Sequence, residues 1–355
     1  MIDNSVLITS FFAFSVALAI SFAMTPIVKL FAKKVGAIDV PKDARRMHKV
    51  PIPRLGGLAI FLGFLISILL FGRIDPQMKS ILLGAVFIVM LGVVDDIHPL
   101  KPLVKFAGQI VAALIPVLSG VVVERLMNPF GDGKYFELGL LAVPLTVIWI
   151  VGVTNAVNMI DGLDGLAVGV STIATVTVFT IAVLVSESYI AVTMAALAGA
   201  CMGFMPYNMN PAKIFMGDIQ GLFKFYVGIS FAVPFIILGL PIFDTTFAII
   251  RRLLKGQSPM HADRGHVHHR LIDMGFDQKQ SVAILYMLSV VLGLSAVVLA
   301  TSGEGKIIIL AVAILASVLI GLSVTGHDQK MEKEHQEEKQ DEGTEDAPGS
   351  EEKHG

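Results

Sequence analysis

Apolar runs long enough to cross a bilayer alternate with short polar loops along most of this chain. A span needs about 20 apolar residues, and such runs fall near 5–27, 56–72, 80–94, 103–123, 139–157, 166–185, 187–206, 283–300 and 306–323. With a further region at 222–250, the pattern predicts an all-α, polytopic membrane helix bundle of about 10–11 transmembrane helices. The bundle occupies 1–325, and 326–355 reads as a disordered acidic tail. The first run has no basic residue before it and leads straight into further spans, so it reads as a retained helix rather than a signal peptide.

The 222–250 region resists a simple count. Its residues make roughly 44 Å of helix, against about 60 Å for two full crossings. Either it forms a short or re-entrant pair broken near Pro234, Gly239 and Pro241, or it crosses once. The broken pair is favoured, because irregular backbone is tolerated at membrane depth when buried in protein.

Composition agrees with a membrane protein: 54% of the residues are hydrophobic and the mean hydropathy is +0.75, which excludes a soluble protein with one core. The net charge of −2 hides an asymmetry, since eleven carboxylates and four lysines fall in 327–355. The loop from Lys29 to Arg54 carries Lys33, Lys34, Lys42, Arg45, Arg46 and Lys49 as well, against Asp39 and Asp43. That excess makes the loop cytoplasmic, at the plasma membrane, and counting spans onward brings 95–105, 155–165 and 207–221 to the same side. The basic 251–280 segment belongs there too. The single cysteine, Cys201, can form no internal disulfide and reads as packing.

These cytoplasmic loops concentrate the unusual residues. In the first, the adjacent carboxylates of Asp95 and Asp96 end one predicted helix and Lys105 lies on the first turns of the next. Paired carboxylates repel unless a cation or proton lies between them, so they read as a divalent-metal or acid/base site, or else as a solvated helix end. The second loop places Asn155, Asn158, Asp161 and Asp164 at the end of an apolar run, with Gly162 and Gly165 repeating an Asp-Gly step. Such a turn lets backbone N–H groups approach an anion closely and suits a metal–phosphate pair. The third runs from Pro211 to Asp218, where Phe215 offers a stacking surface for a planar base beside Gly217-Asp218; a lone Gly-Asp is usually just a turn. The fourth holds Asp263, Arg264, His266, His268, His269 and Arg270. Zinc is one reading of these imidazoles, but anionic phosphate suits histidines interleaved with arginines better. Surplus carboxylates without soft ligands, together with this cluster, describe a Mg²⁺-dependent phosphate site.

Pro53-Arg-Leu-Gly-Gly57, Asp95-Asp96, Asn155–Leu166, Phe215-Met-Gly-Asp218 and His261–Leu271 resemble the polyprenyl-phosphate N-acetylhexosamine-1-phosphate transferases of glycosyltransferase family 4, over about residues 8 to 325. The Asp-Arg-Gly-His-Val-His-His pattern is most similar to the bacterial branch that uses UDP-GlcNAc and undecaprenyl phosphate to start wall teichoic acid and related envelope polymers. The resemblance implies a phosphoglycosyl transferase in which the polyprenyl phosphate attacks the β-phosphate of a UDP-sugar, giving polyprenyl-diphosphate-sugar and UMP. It implies Asp95 as base or lipid-phosphate anchor with Asp96 beside it, and Lys105 on phosphate. Asp218, with Asp96 and Asp161, would ligate Mg²⁺, Mn²⁺ being a substitute. Asp161 and Asp164, with Asn158, would hold nucleotide or metal, Asn155 would bind substrate, and Phe215 would stack on uracil. Arg264, His266, His268 and His269 would hold the diphosphate and sugar. The expected partners are the two substrates and the lipid bilayer, with a homodimer compatible and no nucleic acid.

After Asp218 the chain reads Ile219-Gln-Gly-Leu-Phe-Lys224, where the family continues with Thr-Gly, and the segment before Phe231 is shorter than the family pattern. Loss of most of one helix, by a local deletion or a reading-frame disturbance, is the expectation there. A degenerate noncatalytic family member and a secondary transporter are the alternative readings, although transporter carboxylates tend to lie near the midplane on broken helices rather than in loops.

Overall fold

The structure, a computed structural model, describes residues 4–41, 50–127, 135–217, 239–254 and 266–301. The run expected over 306–323, the tail, most of the 222–250 region and the residues Asp218 and Arg264 lie outside the described residues. The described chain is an all-α bundle: α1 Asn4–Val35, α2 Gly56–Phe71, α3 Pro76–Ile97, α4 Pro102–Leu118, α5 Ala142–Ile160, α6 Leu166–Leu184, α7 Ser188–Asn208, α8 Gly239–Leu254, α9 Val267–Asp273 and α10 Gln278–Thr301. Six of these, α1, α3, α5 with the 3-10 turn before it, α6, α7 and α10, are long and apolar enough to cross a membrane. α2, α4 and residues 241–250 of α8 are shorter apolar helices. This is a multi-pass membrane protein.

Several helix ends have a local reason. Asp75 accepts a hydrogen bond from the Met78 N–H at 2.8 Å and Pro76 follows it, so α3 begins at 76, a turn earlier than hydropathy suggests. Asp277 and Gln280 bond reciprocally to each other's backbone N–H, a capping box that opens α10. The sequence carries the fourth apolar run to 123, but α4 stops at Leu118. Gly120 takes a left-handed φ of 91°, and the Val121 N–H returns to the Pro116 carbonyl at 3.0 Å. α1 runs on to Val35, since lysines tolerate the last turn of a helix, where its dipole is negative.

Packing sorts side chains by size rather than by polarity. On α1 the buried positions are Ser10, Ala13, Ala17, Ser21, Thr25, Val28 and Ala32, while Phe11, Phe12, Phe22, Leu30 and Phe31 are exposed. Hydrocarbon solvates large apolar groups as well as a protein interior does, so association in a bilayer rests on close backbone approach between small residues. Against this stripe lie α7 and α2. A side chain at Gly199 or Gly203 of α7 would strike the backbone of Phe14 or Leu18, and one at Gly63 of α2 would strike that of Ala17. Ser67 adds a hydrogen bond to the Ala13 carbonyl at 2.7 Å, which contributes about 0.6 kcal/mol in such a setting. α7, apolar and small nearly all round, is central, with α6 on one side and α10 on α6. α4 packs between α3 and α5, α8 touches α5 and α10, and α9 lies on α10.

Two small antiparallel ladders were not anticipated. Strand β1 (Ile38–Asp39) pairs with β2 (Ile52–Pro53), and β3 (Arg125–Met127) with β4 (Tyr135–Glu137). The first brings the end of the basic loop back to α1, so that Arg54 meets Asp39.

Candidate active site

The chain ends of α1, α3, α5 and α7 and the starts of α2, α4 and α6 meet at one end of the bundle, where every described candidate loop lies. Asp95 and Asp96 finish α3 and are nearly buried, at 8% and 7% exposure. Neighbouring in sequence, they are steered to different partners. Asp95 accepts the Leu100 N–H at 2.7 Å and the Lys105 ammonium at 3.0 Å. Asp96 lies 3.7 Å from an Arg54 nitrogen, and the other end of that guanidinium reaches Asp39 at 3.0 Å. Two cations from different elements thus separate two like charges that would otherwise repel.

Lys105 and Gln109 are four residues apart and share one face of α4. Gln109 and Asn155 of α5 pair through their amides, Asn155 donating at 2.7 Å. A row Asp95, Lys105, Gln109, Asn155 therefore crosses from α3 to α5. Asn155, expected on substrate, is engaged in this helix-to-helix clamp.

A second row of contacts starts from Asp96. Gly217 lies so close to the Asp96 carboxylate that a β-carbon there would overlap it, and its φ of 72° is left-handed. The segment that ends there is latched by its backbone to the start of α2. The Phe215 N–H donates to the Pro53 carbonyl at 2.8 Å, while the carbonyls of Phe215 and Met216 accept from Gly56 and Gly57 at 2.9 and 2.8 Å. Helix N-termini leave such N–H groups without intrahelical partners, and the loop supplies them. Asn208 donates to the Ile214 carbonyl at 3.0 Å and holds the same loop from α7.

Asp164 accepts from the Asn210 amide and the Ala212 N–H, both at 3.0 Å, and so joins the Asp-Gly turn to this loop. Asn210 also donates to Gln278 at 2.7 Å, and Tyr286 of α10 donates to the Gly165 carbonyl at 2.6 Å. Asp161 caps the end of α5, its N–H donating to the Asn158 carbonyl at 3.3 Å. Both Asn158 and Asp161 are half-buried at the mouth of the turn.

The histidines complete the row. The His268 ring lies on Gly162, where any side chain would overlap it. His266 stacks on His268 at 5.8 Å and 9°, and His269 is 4.3 Å from His268. Burial first, then the neighbouring His269, lowers the His268 pKa to about 3, so the ring is neutral at physiological pH; Asp244 opposes the shift and His266 adds to it. Behind them stands Asp244 of α8, 3.0 Å from His266 Nδ1. Contacts therefore run without a gap from Asp96 through Gly217, the 208–217 loop, Asp164, Gly162 and His268 to His266 and Asp244.

Asp244, Arg54 and Asp39 were missed as site residues. Asp244 had one usable signal, a carboxylate inside an apolar stretch, which in a membrane protein marks function by default. Arg54 stood in a recognised motif without a role, and Asp39 gave no signal beyond its charge.

For Mg²⁺ the donor set is hard oxygen throughout. Among the described residues no group of three or more His, Cys, Asp or Glu side chains could hold an ion. Mg²⁺ asks for less, usually one or two carboxylates with phosphates and water. The Asp96 carboxylate, an oxygen donor of the kind Mg²⁺ takes, lies against Gly217, which precedes Asp218 in the sequence.

A family profile described as Glycosyl transferase family 4 matches residues 78–240. Over 302 residues the chain is 39% identical to the probable undecaprenyl-phosphate N-acetylglucosaminyl 1-phosphate transferase of Bacillus subtilis, covering 81% of this chain and 84% of that protein. It is 31% identical over 351 residues to the decaprenyl-phosphate N-acetylglucosaminephosphotransferase of Mycolicibacterium smegmatis, with 86% of each chain covered. An undecaprenyl-phosphate alpha-N-acetylglucosaminyl 1-phosphate transferase of Thermotoga maritima is 30% identical over 259 residues, 70% of this chain and 78% of that protein.

Proposed function

From the premise that this chain belongs to glycosyl transferase family 4, we propose that it is a phosphoglycosyl transferase that moves N-acetylglucosamine 1-phosphate from UDP-GlcNAc to undecaprenyl phosphate at the cytoplasmic face of the plasma membrane. The products are undecaprenyl-diphosphate-GlcNAc and UMP, and the reaction opens the synthesis of teichoic acid or another envelope polysaccharide. An oxygen of the lipid phosphate bonds to the β-phosphorus of the nucleotide sugar, and the bond from that phosphorus to the bridging oxygen breaks. The bridging oxygen leaves with UMP.

One observation carries this reading: the unbroken row of contacts from Asp96 to Asp244 gathers carboxylates, amides and imidazoles at one end of an apolar bundle, where a lipid's phosphate and a water-soluble nucleotide can meet. Phosphoryl transfer of this kind rests on positioning and charge neutralisation. Asp95 and Lys105 sit where the lipid phosphate would arrive, with Lys105 offering its ammonium to that phosphate and Asp95 taking its proton or fixing Lys105. Asp96, Asp218 and Asp161 would hold Mg²⁺, which when bound neutralises diphosphate charge and draws the two anions together. Asn158 and Asp161 face the nucleotide and Phe215 stacks on uracil. Asn155 and Asp164 act on the substrate through the helices and loops they fix. Arg264 and the three histidines take the diphosphate and sugar.

The test is UMP release by the purified full chain in detergent with UDP-GlcNAc, undecaprenyl phosphate and Mg²⁺, with and without EDTA. EDTA-sensitive release is expected. A folded protein that binds UDP-GlcNAc yet releases no UMP would overturn the reading and favour a noncatalytic family member.

A further inference from the structure

Asp244 spends both carboxylate oxygens on one short stretch of chain. Oδ2 is 3.0 Å from His266 Nδ1, and Oδ1 accepts the Val267 N–H at 3.0 Å. Asp244 and His266 are 5% and 6% exposed, and the two residues are 22 apart in sequence. A carboxylate without protons can only accept, so His266 Nδ1 carries the hydrogen. In the neutral ring the far nitrogen, Nε2, then has a bare lone pair and can only accept in turn. Phosphate oxygens are acceptors and make no hydrogen bond to it. Hydroxyl and amide N–H groups do, and in a nucleotide sugar's outer half these belong to the N-acetylated sugar rather than to the diphosphate.

We infer that Asp244 is a positioning residue that sets the tautomer of His266, so that Nε2 accepts a hydrogen bond from a hydroxyl or the amide N–H of the donor's sugar. This rests on the nucleotide-sugar reading of the site. Through the stack of His266 on His268, and of His268 on Gly162, the same carboxylate also sets the distance of the histidine row from the Asp-Gly turn. Capping the start of α9 is a second service of Asp244, and the decisive variant keeps it. In Asp244→Asn the one carbonyl oxygen still accepts the Val267 N–H. The amide NH₂ then faces Nδ1 and moves the ring proton to Nε2, turning an acceptor into a donor.

Two measurements on the full chain in detergent test this without turnover. Nitrogen NMR of ¹⁵N-histidine-labelled protein, with His266 assigned by His266→Gln, should find Nε2 bare in the native protein and protonated in Asp244→Asn. Calorimetry should find UDP-GlcNAc binding weakened about 10²-fold in Asp244→Asn, as when a buried hydrogen-bonding group is left without its partner, with UMP binding unchanged because UMP has no sugar beyond the phosphate. In a His266→Gln background, Asp244→Asn should add no further loss. A protonated Nε2 in the native protein, equal losses for UMP and UDP-GlcNAc, or a full further loss in the double variant would each overturn the inference. Native protein that binds in this pattern but releases no UMP would instead overturn the transferase reading and leave the role of Asp244 standing.

Discussion

Asp95, Asp96, His266 and His268 are about equally buried, yet the two carboxylates and His268 meet that burial with different partners. Asp95 and Asp96 keep cations from other elements beside them, Lys105 at 3.0 Å and Arg54 at 3.7 Å. A buried carboxylate with a cation at hand keeps its charge and its use for metal or phosphate. His268 is buried against a glycine and two other imidazoles, and loses its charge instead. Asp95 and Asp96 thus face cations while the His268 ring is left to exchange hydrogen bonds, and the partner brought by the fold decides which.

Replacing Asp96 by Asn should break the acidic side most severely. It removes the charge but not the volume, and turnover should fall by at least about 10³-fold, as when a positioned electrostatic group is lost at a phosphoryl-transfer site. Near wild-type UMP release from Asp96→Asn would sink the metal-site assignment. Gly217→Ala should come next, at about 10²-fold, because a β-carbon displaces the carboxylate by a fraction of an ångström to an ångström and strains a left-handed backbone. Its KM for UDP-GlcNAc and its Mg²⁺ requirement, compared with those of the native chain, separate a displaced carboxylate from a misfolded loop.

The histidine side is sharpened by pH. The His268 pKa of about 3 lies below the ordinary value of 6.5, so the unfolded chain binds the proton first. Stability is complete above 6.5 and is lost as pH falls toward 3, with a slope of at most about 1.4 kcal/mol per pH unit from this residue. His268→Asn should flatten the decline of Tm between pH 6.5 and 5; an unchanged slope would mean that His268 is charged or exposed in solution. The smallest effect belongs to the tail. Deleting 328–355 should leave UMP release within about a factor of two, since a strongly acidic sequence with almost no apolar residues reads as a solvated segment; a large loss would show a role for it.

Much of the bundle was readable from apolar run lengths, because hydrocarbon thickness imposes span length on any chain that crosses it. Where the reading overshot, at 119–123, the reason was local: a glycine stop overrides hydropathy. The site was readable in its residue types but not in its contacts. Asn155 and Asp164 look alike as polar groups in a turn, yet one clamps α4 to α5 and the other ties two loops. Asp244 was passed over because its partner lies 22 residues away in the sequence.

By itself, then, the sequence determined a membrane bundle with its acidic and histidine-rich loops at one end, since periodicity, span length and charge asymmetry are local properties of the chain. Only the tertiary structure decided which aspartate meets which cation, which glycine makes room for which side chain, and which carboxylate stands behind His266. Those pairings depend on how small residues let helices approach, and that distance is written in no single segment.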